Sequence, residues 1–223
     1  MTKLQLSFAM GNYDRTRALI DSAVTIDGVD PVYMTLVPEE IFFRAFRAAE
    51  FDICELSLSS STIQTARGES PYIAIPAFVS RAFRHTAIYV RTDRVGNPAD
   101  LIGKKVGVPE YQLTANVWAR AFLSDDYGVN PSDIYWVRGG IENPIRPEKI
   151  AVDLPHGVRL DNAPEGETIS ALLERGEIDG KTCIKLRVTT SPRPASRRLP
   201  ASAPLAGCAR GAWPYGGYRE RDI

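Results

Sequence analysis

The chain has 223 residues, enough for one large domain or two smaller ones, and at 44% hydrophobic and 24% charged residues its composition is that of an ordinary globular protein. Its 27 basic residues balance 27 acidic ones, so no global charge points to nucleic acid or to an anionic membrane surface. No apolar run approaches the ~18 residues of a membrane span. The opening MTKLQLSFAM enters a strand pattern directly, without the basic, apolar and small-residue order of a signal peptide, so a cytoplasmic protein is expected.

LQLSFAM (4–10) predicts a first strand, and YDRTRALIDSAV (13–24) repeats apolar residues at helical spacing with Asn12 as its N-cap. VDPVYMTLV (29–37) returns to a strand that Pro38 stops. PEEIFFRAFRAAE (38–50) predicts a helix: proline in the first turn, two glutamates at the positive end, and an apolar face of Ile41, Phe42, Ala45 and Phe46. FDICELSLSS (51–60) reads as a strand running into a serine-rich turn, and STIQTARGE as a helix ending at Gly68. Strand character at Ala77 to Val79 and Thr86 to Val90 flanks a polar motif of Arg81, Arg84 and His85. The pattern then restarts. DLIGKKVGVPE (100–110) gives a short helix, a turn at Gly103 and a strand; TANVWARAFLSDDYG (114–128) is an amphipathic helix that Thr114 caps. DIYWVRGG (133–140) is a strand, and ETISALLERGEIDG (167–180) a helix closed by Gly176 with the start of another strand. Alternating β and α elements favour parallel sheets covered by helices. Two such units joined by an extended segment predict two lobes with a cleft between them.

The charge balance is uneven. Residues 181–223 hold nine Lys or Arg against two acids, Glu220 and Asp222, leaving 18 basic and 25 acidic residues before them. That tail also carries Pro192, Pro194, Pro200, Pro204 and Pro214 and no sustained period, a composition of linker or disordered chain. Cys54, Cys183 and Cys208 are widely spaced, with no CxxC pair and no histidine at zinc-like spacing. Neither a disulfide framework nor a metal is expected, and no cofactor is implied.

RAAEFDICELSLSS, IPAFVSRAFRHTAIYV and DLIGKKVGVPEYQLTANVWARAFLSDDYGVNPSDIYWVRGG together resemble the 4,5-dihydroxyphthalate decarboxylase family, itself related to type II periplasmic-binding-protein-like proteins such as the thiamine-precursor-synthesis group. The likeness runs from about residue 3 to about 180 and is most specific at GKKVGVPEYQLTANVW. It implies an α/β fold of two lobes: residues 1–78 as the first, 79–180 as the interlobe segment and an incomplete second, and 181–223 as a tail outside the family pattern. Composition, charge and pattern change together at residue 180, which reads as a frameshift; a genuine basic tail for an acidic partner is the alternative.

The resemblance places the ligand between the lobes, where strand ends and helix amino termini converge. Asn12 and Arg15 after the first strand, Ser59 and Ser60 of the serine turn, Arg81 and Arg84 of the crossover, and Tyr111 and Thr114 at a helix start are the implied substrate-binding residues. Two arginines suit a small aromatic dicarboxylate, each gripping one carboxylate in a two-pronged hydrogen bond, unless they are solvated or make structural ion pairs. His85 is the implied acid–base group and Glu55 a second candidate; His156, in DLPHGVRL, ranks below His85. SLSSS lacks the GxSxG turn of a nucleophile elbow, and Gly139-Gly140 lacks dinucleotide-binding spacing. The implied activity is cofactor-independent decarboxylation of 4,5-dihydroxyphthalate to protocatechuate or of a related aromatic acid. A non-catalytic solute-binding protein and an inactive truncated product are the alternatives.

Overall fold

A computed structural model describes residues 2–81, 84, 87–145, 147–182 and 196–198. Two sheets are built from successive stretches of chain. The first has three parallel strands in the order β2-β1-β3: β1 Leu4–Met10, β2 Val29–Thr35 and β3 Ile53–Cys54. Parallel neighbours need a crossover. The first is α1 Asp14–Ile20 and the second α2 Pro38–Ala48. Helix α2 begins as the sequence predicts, with Pro38 in its first turn followed by Glu39 and Glu40, and it buries Ile41 and Ala45 against Ala9 of β1 and Phe51.

The second sheet has six strands in the order β7-β6-β5-β8-β4-β9. These are β4 Ile88–Arg91, β5 Lys105–Val108, β6 Tyr135–Arg138, β7 Arg159–Asn162, β8 Gly180–Thr182 and β9 Ser196–Arg198. The run β7-β6-β5-β8 is parallel, whereas β4 is antiparallel to both β8 and β9. Side chains alternate along β5, so Val106 and Val108 pack under α4 Thr114–Tyr127 with Leu123, Ile134 and Trp136. Gly107 turns to the opposite face, where α5 Ile169–Arg175 brings Ile169, Leu172 and Leu173 down with Ile178. A methyl group at Gly107 would collide with Ile169, so the missing side chain sets how closely α5 approaches.

Several expected boundaries differ. Asn12 does not cap α1: the N-cap is Tyr13, whose N–H donates to Thr16 Oγ1 at 3.1 Å, and the Asn12 side-chain Oδ1 accepts instead from Arg17. The serines expected in a turn lie in the first turn of α3 Leu58–Arg67, because strand β3 is only two residues long. Thr114 does not cap α4 but is its first residue after Leu113, and its hydroxyl is used elsewhere. Ala77 to Val79 form no strand: Pro76 removes a donor and the segment lies at the surface with Phe78 60% exposed. β7 was not foreseen, since RLDN has neither apolar alternation nor β-branched residues. The expectation of a linker-like tail falls outside the described residues, except that β8 runs to Thr182 and Ser196–Arg198 pair with β4.

Gly107→Ala should lower stability by about 1–3 kcal/mol through overpacking against Ile169. Urea unfolding of the variant beside the parent protein measures this; an unchanged midpoint would mean α5 is not held at this distance.

Candidate ligand site at the strand ends

The central strand β1 delivers Gly11 to Tyr13 past its carboxyl end, and neighbouring β3 delivers Glu55 to Ser57 past its own. In parallel sheets this edge is where ligands bind. The pairing continues one step beyond the strands, the Glu55 N–H donating to the Ala9 carbonyl at 3.0 Å. It carries the Glu55 carboxyl beneath the following loop. There Oε1 accepts the Gly11 N–H at 2.8 Å, and the Tyr13 hydroxyl donates to Oε2 at 3.0 Å. Glu55 is buried. Desolvation pushes its pKa above the ordinary 4.5, against the opposing pull of the Tyr13 and Gly11 hydrogen bonds. The Tyr13 hydroxyl is itself pushed up to about 12, first by burial and then by the Glu55 charge, so it stays a donor through the neutral range. The Ser80 side chain of the crossover segment opposes that rise, and the Arg15 guanidinium lies 5.6 Å from the Tyr13 ring centre. Arg15 additionally pairs with Asp14 at 2.8 Å.

A second group forms where α3 and α4 begin. Thr114 Oγ1 lies 3.0 Å from Ser57 Oγ and accepts the Ser59 N–H at 3.1 Å, while the Ser59 hydroxyl donates to the Gln112 carbonyl. Two helix amino termini from different sheets therefore face each other. Each presents backbone N–H groups and a partial positive charge, the condition for holding an anion. Ser60 is fully buried, and its hydroxyl has no hydrogen-bond partner among the described residues.

The remaining expected residues lie apart from these two groups. Tyr111 is buried, its ring edge-on to Trp136 and covered by the Arg120 guanidinium 3.6 Å from its centre; Arg120 also donates to the Tyr111 carbonyl at 2.7 Å. Arg81 is exposed and donates to the Phe78 carbonyl at 3.1 Å. Arg84 is half-buried without an ion-pair partner among the described residues, and desolvation lowers its pKa. His85 lies outside the described residues. His156 is exposed in the loop before β7. A shallow concavity of about 430 Å³, lined by Val37, Glu39, Glu40, Phe43, Arg44 and Pro147, includes none of the expected residues. Among the described residues no group of three or more His, Cys, Asp or Glu is placed to hold a metal ion, and no helix is long and apolar enough to cross a membrane.

The sequence reading missed Tyr13. Its position directly after the first strand, in GNYD, was the available signal, but a tyrosine there reads as helix flank until the Glu55 carboxyl is found beside it.

The chain is thus an α/β protein with a buried carboxyl at the ends of one parallel sheet and a facing pair of helix amino termini. No family model matches it. It is 68% identical over 181 residues to a 4,5-dihydroxyphthalate decarboxylase of Comamonas testosteroni, covering 81% of this chain and 55% of that protein. It is also 62% identical over 180 residues to a 4,5-dihydroxyphthalate decarboxylase of Pseudomonas putida, covering 80% of this chain and 70% of that one. The chain belongs to the 4,5-dihydroxyphthalate decarboxylase family. It spans only about half the length of the Comamonas testosteroni relative. Among solved structures, an ancestral arginine-binding protein bound to arginine matches at 13% identity and TM-score 0.32, over 82% of this chain and 71% of that one. Holo ArgBP from T. maritima matches at 13% and 0.35, over 80% and 68%.

The raised pKa of Glu55 has a definite thermodynamic sign. Above the ordinary carboxyl value and below the raised native one, the folded chain keeps a proton that the unfolded chain has released. Stability should therefore fall as pH rises through that window and level off above it. Glu55→Gln should lose this slope, seen as a difference in urea midpoints between the two proteins from about pH 4 to about pH 8. Tyr13→Phe should move the window upward, because the hydroxyl's hydrogen bond favours the ionised carboxyl. Parallel midpoint curves for all three proteins would contradict the assignment.

Proposed function

We propose that this chain carries the acid–base and anion-holding part of a cofactor-independent decarboxylase for 4,5-dihydroxyphthalate or a close aromatic dicarboxylate, acting in the cytoplasm. The observation that carries the reading is the buried Glu55 carboxyl at the ends of β1 and β3, in a chain whose relatives bear that activity in their names. The two-lobed, binding-protein-like arrangement, with residues 1–78 in one lobe, 79–180 across the crossover and second lobe, and 181–223 as a frameshifted tail, belongs to the same proposal.

The chemistry fits these residues. A hydroxyl para to the departing carboxylate gives its proton to ionised Glu55, and the oxygen's electron pair moves through the ring to the carbon bearing that carboxylate. That carbon takes up a proton. The bond to the carboxylate then breaks and leaves as CO2, its electron pair restoring the aromatic ring, and Glu55 returns the first proton to the ring oxygen. The sum is one proton consumed and one CO2 released per substrate. A carboxyl whose pKa is raised toward neutrality suits both halves of this exchange. Tyr13, protonated throughout, orients the carboxyl and donates to it. The amino termini of α3 and α4, with Ser59 and Thr114, hold a substrate carboxylate, and Arg84 grips the second; Asn12, Arg15, Ser60, Arg81 and Tyr111 complete the proposed binding set. His85 is the proposed proton donor to the ring carbon.

A chimera joining residues 1–180 to the remaining length of the Comamonas testosteroni relative should release CO2 and protocatechuate from 4,5-dihydroxyphthalate. Glu55→Gln in it should cost about 100-fold or more in kcat, as loss of a general base does. Arg84→Ala should weaken binding by about 2 kcal/mol, the worth of a charged hydrogen bond. Saturable binding without product would overturn the decarboxylase reading and favour a solute-binding protein. Resequencing the coding DNA across codon 180 tests the tail: a second frame continuing in family-like sequence supports the frameshift, and a confirmed frame without one refutes it.

A further inference from the structure

The two sheets are tied by the segment between β6 and β7, which reaches back over α2 and α3. At the surface, Arg47 donates to the Glu148 carbonyl at 2.6 Å, Arg67 donates to the Ala151 carbonyl at 2.8 Å, and Arg67 stands 3.7 Å from the exposed Asp153 carboxylate. Contacts of this kind are screened by water and salt and hold little. Lys149 differs. Its side chain is 0% exposed, and its ammonium lies 2.8 Å from Glu39 Oε2 of α2 and 3.0 Å from Glu110 Oε1, in the turn between β5 and α4. One buried cation thus holds a carboxylate from each side of the molecule.

What Lys149 holds leads to the facing helix termini. The other Glu110 oxygen accepts from Gln112 Nε2 at 3.0 Å, and that amide also donates to the Ile150 carbonyl at 3.2 Å. The Glu110 carbonyl accepts from the Asn116 side chain in the first turn of α4. The Gln112 carbonyl accepts the Ser59 hydroxyl, and Thr114, two residues on, accepts the Ser59 N–H at 3.1 Å. An unbroken run of polar contacts, buried in the middle and part-buried at both ends, therefore passes from α2 through Lys149, Glu110 and Gln112 to the start of α3. Without the ammonium, Glu110 would lose a buried charge-assisted hydrogen bond and Glu39 a part-buried one.

We propose that Lys149 is a positioning residue for the ligand site: by holding Glu39 and Glu110 together it sets the separation of the α3 and α4 amino termini. This rests on the reading of those termini as the carboxylate-holding part of a decarboxylase site. Lys149 does not touch the substrate. It acts through the turn at 110–114, so its loss weakens the grip on a carboxylate without changing the Glu55 carboxyl.

The test uses the chain itself. The Ser59 N–H, in the first turn of α3, lacks an intrahelical partner and is protected by Thr114, so its hydrogen exchange reports the separation directly. Lys149→Met should speed Ser59 exchange and raise the Kd for 4,5-dihydroxyphthalate by about tenfold each, leaving the pH window of Glu55 in place. Glu39→Gln, milder because Glu39 is partly exposed, should give about threefold in both and keeps the test available if Lys149→Met does not fold. Unchanged Ser59 exchange in folded Glu39→Gln overturns the positioning role, as does faster exchange with unchanged affinity. A parent chain that does not bind 4,5-dihydroxyphthalate overturns the functional reading instead, whatever the exchange shows.

Discussion

The pairing of β1 with β3 decides where the Glu55 carboxyl sits. Because β1 lies between β2 and β3 in a parallel sheet, the residues following each strand emerge at one edge, and Glu55 meets the loop that follows β1. A carboxyl delivered there is taken out of water before its charge is matched. It has a backbone N–H and a tyrosine hydroxyl as partners, which offset part of the desolvation cost and leave the rest as a raised pKa. A cation in place of Tyr13 would have paired with the carboxylate and lowered its pKa. The hydroxyl leaves it able to take and return a proton.

The second constraint is the joining of the two sheets. Shared surface ion pairs are each worth about 0–1 kcal/mol, too little to fix two helix ends to hydrogen-bond precision. A buried charge-assisted hydrogen bond is worth more, about 1.5–3 kcal/mol, because water does not screen it. Magnitude therefore selects Lys149 over Arg67 as the group on which the facing amino termini depend. The Ser57, Ser59 and Thr114 hydroxyls then act at the end of that connection, each with a partner across the junction.

Periodicity made the scaffold legible. Strand β1, helix α2 with its proline start, the β5–α4 unit and the Gly176 end of α5 fall where apolar spacing and terminal residues place them. Side-chain competition at helix starts was not legible. Asn12 and Thr114 both have good capping chemistry, yet Arg17, five residues on, draws the first, and Ser57, 57 residues away along the chain, draws the second. Glu55 was found as a candidate, whereas Tyr13 became one only once β1 and β3 were seen to be neighbours. Lys149 had no signal at all: it is one lysine in an irregular segment, and its two carboxylates are 110 and 39 residues away along the chain.

The central claim is that Glu55 is a proton-exchanging carboxyl at a ligand site. A 13C NMR titration of the Glu55 side-chain carboxyl, in the free chain and with protocatechuate added, tests it most directly. The account predicts a midpoint above the ordinary glutamate value in the free chain, displaced when the aromatic acid binds. An ordinary midpoint, or a raised one that protocatechuate at saturating concentration does not move, would contradict it.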